Sequence, residues 1–419
     1  MSCSDTDSED YTTSDSEDYT TSDSEDYTTS DSEDYTTSDS EDYTTSDSED
    51  NTTSDSESCF TFGEGIQYAL EQIAFPENAR RTYCHDAQVI ENAFITAIAD
   101  YDPLFRKAFG GLSLGGSCLD GIRIHLPDEF DMHVKIRLPI DLQPVLVPDQ
   151  PGYIFLRASR CKHPCVAQYR GEGYFINRQA VQKWIRQSIE AIMPRLQAIR
   201  CTRRRVYSME YQAKGSVVAH TLLATERRNP SRQISFDFVP VFEFEATEWP
   251  RGLQKPRNGG RSWFAVPRKY ANKPEDSRSF IFCAPHWERL ELHDRQNLKD
   301  SLRLMKALRN ANQMPGLYSY LLKSIYLDEL RKNSTQWDQA PGQILIHMLG
   351  KLRQGLAKKH VPFFLVPDHN NLDKLEPEMI TDYYRSISRT LNTLNQRLNA
   401  NYLTNEDLHD IFGIEVEED

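Results

Sequence analysis

The stretch "LPDEFDMHVKI", residues 126 to 136, sets Glu129 and Asp131 two apart inside a strand-like run. Side chains alternate faces along a strand, so both carboxylates point the same way. Like charges side by side repel unless a cation lies between them. The pair therefore asks for a metal, a basic partner or a solvated edge. Twelve residues before Glu129 ends "LGGS", where Gly115 and Gly116 let backbone amides approach a ligand and Ser117 adds a hydroxyl for a phosphate oxygen. Mg²⁺ prefers carboxylates together with substrate phosphates, and two-metal phosphoryl transfer wants a third acid from another strand. Asp237, a lone charge in the apolar run "ISFDFVPVF", can supply it. Burying that charge without a partner would be costly.

Each piece has a plainer explanation: a Gly-Ser turn, a solvated strand edge, an Asp paired with a buried Arg. In this order they predict a nucleotidyltransferase of the polymerase-β type. Glu129, Asp131 and Asp237 are then its catalytic residues and the ligands of Mg²⁺ or Mn²⁺, with Gly116, Ser117 and Asp237 at the nucleotide. Asp237 is best placed to activate a ribose hydroxyl for in-line attack on the α-phosphate of a nucleoside triphosphate.

The elements that must position these groups follow from hydrophobic period. "DAQVIENAFITAIADYDPLFRKAF" predicts a long helix ending just before "GLSLGGS". "CLDGIRIHLP", "EFDMHVKIRLPI", "GYIFLRAS", "SVVAHTLLAT" and "QISFDFVPVFEF" predict strands, and "RQAVQKWIRQSIEAIMPRLQAI" an amphipathic helix. After "TEWPRG" the texture becomes helical through "HWERLELHDRQNLKDSLRLMKALRNAN", "SYLLKSIYLDELRK" and "GQILIHMLGKLRQGLAKKH". The expected fold is α+β and bilobal, with a mixed catalytic lobe over residues 59–250, a helical C-terminal lobe over 251–419, and a ligand cleft between them.

The formal charge of −15 is unevenly spread. Residues 1–58 repeat "SDSEDYTT" every eight residues; they hold 21 of the 63 acids and neither Lys nor Arg, leaving 42 acids against 48 bases in the remainder. A segment with so little apolar surface and so much self-repulsion is expected to be a disordered acidic tail, and its Ser/Thr-beside-acid pattern suits acid-directed phosphorylation. No apolar run is long enough to span a bilayer and no signal-peptide pattern opens the chain, so no membrane partner is expected. Eight cysteines without a framework point to reduced thiols, and we place the chain in the cytoplasm. Cys161, His163 and Cys165 in "CKHPC" lack a second pair at finger-like spacing, so no zinc is expected.

The chain resembles the cGAS-like receptors, nucleic-acid sensors that make cyclic dinucleotides. The resemblance covers residues 85 to 380 and rests on "GGS" with "PDEFDMHVKI" at the family's spacing, then "EGYFINRQAVQKWIRQSI", "GSVVAHTLL" and "ISFDFVPVFEF…EWP". It continues through "WFAVPRK", "DSLRLMKAL", "YSYLLKSIYL", "QWD" and "VPFFLVPDHNNL". It implies Glu129, Asp131 and Asp237 as Mg²⁺ ligands, Ser117 as a phosphate contact, and Lys306, Ser319, Tyr320 and Lys323 as nucleotide contacts, with Tyr320 stacking on a base. It also implies ATP and GTP as substrates, joined by two transfers in one site into a cyclic GMP-AMP-type messenger for a STING-type receptor in innate immunity.

Departures from the family pattern are informative. The interval where cGAS carries its zinc-binding insertion is short and offers only His286 and His293 as ligands, as in insect-type members, which argues against DNA as activator. Arg278 and Glu288 are candidates for the family's nucleotide-contacting segment. A sensor needs a surface that reads phosphates. Candidates are Arg80 and Arg81; Arg200, Arg203, Arg204 and Arg205; and Lys255, Arg257 and Arg261. With no base-reading motif, recognition would follow duplex shape, which favours double-stranded RNA. Two rival functions use the same fold: a linear oligonucleotide synthase, and a catalytically silent nucleic-acid-binding pseudoenzyme.

Overall fold

Phe130, Met132, Val134 and Ile136 alternate with Glu129, Asp131, His133 and Lys135, so the strand Glu129–Ile136 buries one face and leaves the other open to chemistry. A computed structural model describes residues 59–416 except 75, 117–119, 125–127, 213–217, 254–260, 271–275 and 333–335. The repeat tail, residues 1–58, lies outside the described residues.

This strand runs parallel to Gln233–Phe244, in register from Ser235 opposite Glu129 to Phe242 opposite Ile136. Its other edge pairs antiparallel with Phe109–Leu114, and His220–Glu226 pairs antiparallel with Gln233–Phe244. They belong to a sheet of 12 strands among the described residues. On the buried face lie Ile234, Phe236 and Phe238, and Phe94 of the long helix Glu77–Tyr101 stacks on Phe238 at 4.3 Å between ring centroids. Truncating such a ring to Ala costs about 3–5 kcal/mol.

That helix stops at Tyr101, because Asp102 is extended and Pro103 opens a separate short helix, Pro103–Ala108. Asp102 caps the short helix through the amides of Leu104 and Phe105, and accepts from Trp184 Nε1 at 2.7 Å and Ser188 Oγ at 2.6 Å. One carboxylate thus ties three helices together, the third being Arg178–Ile192.

The helical lobe is built from Gln296–Ala311, Ser319–Lys332, Pro341–Ala357 and Pro377–Ala400, packed through residues such as Leu302, Met305, Leu345 and Leu394. Strand Cys59–Phe60 pairs with Leu403–Thr404, so the start of the described chain is closed against its end. The architecture is the bilobal α+β arrangement expected from the sequence.

Four local expectations are corrected. The single long helix expected to end just before "GLSLGGS" is broken at Asp102–Pro103 into Glu77–Tyr101 and Pro103–Ala108, and the strand Phe109–Leu114 follows. Residues 120–124, inside the expected strand "CLDGIRIHLP", are turn and irregular backbone. Residues 251–283, counted with the helical lobe, supply strands Trp263–Pro267 and Phe280–Cys283 to the same sheet. Finally, the helix expected over "HWERLELHDRQNLK…" is two, Pro285–Leu292 and Gln296–Ala311, divided where Asp294 takes φ of 56°.

Candidate active site

Parallel pairing sets Asp237 directly opposite Asp131, and the two-residue spacing brings Glu129 onto the same face. Ligand atoms of the three carboxylates lie within 4.8 Å of one another; among the described residues no other group of three His, Cys, Asp or Glu is so arranged. Burial, with Glu129 and Asp237 close by, pushes the Asp131 carboxyl up to about 6, against opposing pulls from Arg123 and Lys323. Three clustered carboxylates, all offering hard oxygen donors, fit a divalent cation of the Mg²⁺ class.

The glycines before the triad are required by contact. Gly116 has φ of +61°, and a Cβ there would fall 1.7 Å from Asp131 Oδ2. At Gly115 a Cβ would meet His133 Cε1 at 3.0 Å, while its amide donates to the Asp131 carbonyl at 2.7 Å. The loop thus lies directly on the carboxylate strand. Ser117 lies outside the described residues.

The helical-lobe candidates cluster. Lys323 is buried, 2.7 Å from Asp120 Oδ2 and 2.7 Å from Glu288 Oε2. Burial pulls its pKa down, but Glu288 and Asp120 outweigh that and hold it above the usual lysine value. Tyr320 donates its hydroxyl to Glu288 Oε1 at 2.7 Å, and its ring centroid is 5.2 Å from Lys323 Nζ. Ser319 accepts from Arg309 Nη1 at 3.2 Å. Lys306 is buried and donates to the Ile122 carbonyl at 2.9 Å; burial, then the nearby Arg309 and Arg123, push its pKa down to about 8. Of Arg278 and Glu288, Glu288 sits in this cluster. Arg278 does not: it pairs with Asp276 at 2.7 Å and lies 4.3 Å from the centroid of the Phe155 ring.

Two of the basic clusters converge. Arg81, Thr82 and His85 from the long helix face Thr202, Arg203 and Arg205 across a cleft of about 610 Å³. Arg203 and Arg204 take φ of 54° and 60° in a turn closed by the Arg205 amide donating to the Thr202 carbonyl at 3.2 Å. Positive φ at two consecutive arginines costs on the order of 1–2 kcal/mol each, where Asn-Gly would be the cheap choice. Arg205 itself turns inward, donating to buried Asp86 at 2.6 and 3.0 Å. Asp86 also accepts from Arg232 and Tyr207, which fixes the turn against the long helix. Arg80, Arg200 and Arg261 are exposed; Lys255 and Arg257 lie outside the described residues.

Two residues escaped the sequence reading. Thr221 stands opposite Asp237 and donates to its Oδ1 at 2.6 Å. The signal was present: the hairpin closes about Asn229, so residues eight before and eight after it face each other. Arg123 reaches Asp128 Oδ1 at 2.9 Å and lies 3.7 Å from Glu129 Oε2. No periodicity marks it, because it sits in irregular backbone. In "CKHPC", His163 Nδ1 accepts from the Cys165 amide at 3.2 Å.

Residues 118–295 match the family described as Mab-21 protein nucleotidyltransferase domain, and residues 297–389 the Mab-21 protein HhH/H2TH-like domain. The chain is 48% identical over 358 residues to a cyclic GMP-AMP synthase-like receptor of Drosophila eugracilis, covering 84% of this chain and 96% of that one. It is 36% identical over 333 residues to a cyclic GMP-AMP synthase-like protein of Drosophila melanogaster, covering 78% and 92%. A cyclic GMP-AMP synthase-like receptor of Aethina tumida is 24% identical over 325 residues, covering 72% and 80%. Among the described residues no helix is long and apolar enough to cross a membrane.

Proposed function

The chain belongs to the cyclic GMP-AMP synthase-like receptor family of nucleotidyltransferases, and on that premise we propose that it joins ATP and GTP into a cyclic dinucleotide when nucleic acid binds its basic face. The observation that carries the reading is the carboxylate triad assembled by the Asp131–Asp237 register. Glu129, Asp131 and Asp237 would hold Mg²⁺ or Mn²⁺, which when bound neutralises charge on the transferring phosphate and acidifies the attacking hydroxyl. Asp237 receives the proton of that hydroxyl, held in place by Thr221. The Gly116 amide, with the Ser117 hydroxyl, cradles the triphosphate. Lys306 and Lys323 serve its charge, Ser319 contacts the nucleotide, and Tyr320 offers a stacking face to a base.

The second half of the reading is activation. Arg81 and Arg203 around one cleft, with Arg80, Arg200 and Arg204 beside them, support a surface that grips phosphates by shape. Double-stranded RNA is the favoured ligand over DNA, and the product is proposed to act on a STING-type receptor in antiviral defence.

The test is incubation of the purified full chain with labelled ATP and GTP and Mg²⁺ or Mn²⁺, alone, with double-stranded RNA, or with double-stranded DNA. A phosphatase-resistant product formed only with RNA is expected. A phosphatase-sensitive oligonucleotide would establish a linear synthase instead, and nucleotide binding without any product would establish a binding module.

A further inference from the structure

Three cations of the helical lobe close on three consecutive residues just beyond the phosphate loop. Arg303 Nη2 donates to the Gly121 carbonyl at 2.6 Å, Lys306 Nζ to the Ile122 carbonyl at 2.9 Å, and Lys323 Nζ to Asp120 Oδ2 at 2.7 Å. The next residue, Arg123, runs the other way. Its guanidinium donates to Asp128 Oδ1 at 2.9 Å and to the Glu129 carbonyl, and stands 3.7 Å from Glu129 Oε2. Residues 120–123 therefore connect helices Gln296–Ala311 and Ser319–Lys332 to the first carboxylate of the triad without a break.

The chemistry of this connection is not that of ordinary core packing. Asp120, Lys306 and Lys323 are buried, and a buried charge deprived of its partner costs several kcal/mol. Two of the three acceptors are main-chain carbonyls, so what is gripped is the position of the backbone rather than particular side chains. Asp120 Oδ1 is buried and has no hydrogen-bond partner among the described residues.

We propose that residues 120–123 are a strap through which the helical lobe sets the position of Glu129, with Arg303 and Asp120 as positioning residues that do not themselves touch the triad. The strap rests on the reading of Glu129, Asp131 and Asp237 as a divalent-cation site. Loosening either end lets Arg123, and Glu129 with it, drift from cation-binding geometry.

The test is Mn²⁺ binding to the full chain, followed by electron paramagnetic resonance, alongside thermal unfolding of each variant. Arg303→Ala and Asp120→Asn are expected to weaken Mn²⁺ affinity roughly tenfold, the range seen when groups supporting a ligand are removed. Arg303→Lys, which keeps a donor toward Gly121, is expected to restore most of it. Folded Arg303→Ala and Asp120→Asn proteins with wild-type Mn²⁺ affinity would overturn the strap alone. A wild-type chain that binds no Mn²⁺, or whose binding survives Asp131→Asn, would overturn the cation site and the strap with it.

Discussion

Thr221 and Asp237 face each other across an antiparallel strand pair, and the threonine hydroxyl donates to Asp237 Oδ1 at 2.6 Å. That bond fixes one carboxylate oxygen and leaves the other for cation or substrate. Thr221→Val keeps the shape and removes the donor. Turnover is expected to fall about tenfold or more, with Thr221→Ser largely normal; steady-state rates of the pair would show it. Equal rates for all three proteins would mean that Asp237 needs no such support.

Gly116 tolerates no side chain. A Cβ would sit 1.7 Å from Asp131 Oδ2 in a backbone region with φ of +61°. Gly116→Ala is therefore expected to abolish product formation while the fold survives, since the displaced Asp131 carboxylate is only partly buried and not part of the apolar core. Circular dichroism together with the product assay checks this. Substantial activity in Gly116→Ala would show that the loop stands off the triad during turnover.

The Asp131 carboxyl, raised from 3.8 to about 6 by burial and then by Glu129 and Asp237, makes a signed prediction. A folded-state pKa above the unfolded value stabilises at low pH and is lost as pH rises through about 6. The cation-free protein therefore carries repulsion at pH 7.5. Asp131→Asn should be about 1–2 kcal/mol more stable there, with the gap closing toward pH 4. Mn²⁺ should raise the wild-type melting temperature more at pH 7.5 than at pH 5.5, and hardly at all in the variant. Melting curves at these pH values decide it.

Lys306 carries the opposite sign. Burial, with Arg309 and Arg123 nearby, lowers its pKa from 10.5 to about 8, so its charge opposes folding below about 8 and the penalty fades as pH rises toward 10.5. Lys306→Met should then be about 1–2 kcal/mol more stable than wild type at pH 7, the difference shrinking by pH 10, while its KM for nucleotide rises. A destabilised variant with unchanged KM would make Lys306 a structural lysine only.

Much of the triad was legible because strand chemistry is periodic. Glu129 and Asp131 share a face by their spacing alone, and Asp237 is conspicuous among Phe236, Phe238 and Val239. The register joining the two strands was not legible, since parallel pairing is set by long connections rather than by a local turn. The lobe boundary was drawn too early because the strands Trp263–Pro267 and Phe280–Cys283 are short and stand beside helical sequence. Composition could group Arg203 with Arg205, but only the fold separates them: both line the cleft, yet Arg205 is held by buried Asp86 while Arg203 sits at the positive-φ turn. Arg123 and Arg303 carry no pattern at all: Arg123 sits in irregular backbone, and Arg303 binds a main-chain carbonyl far away in sequence.

The central claim is that Glu129, Asp131 and Asp237 form the site of nucleotidyl transfer. It is tested most directly by Asp237→Asn, an isosteric change that removes one charge from the triad. Product formation from ATP and GTP by the nucleic-acid-bound protein would be measured beside nucleotide binding. Product is expected to fall by about a hundred- to a thousandfold, with the fold intact and nucleotide still bound. Product formed at near wild-type rate by Asp237→Asn would contradict it and place the chemistry elsewhere in the molecule.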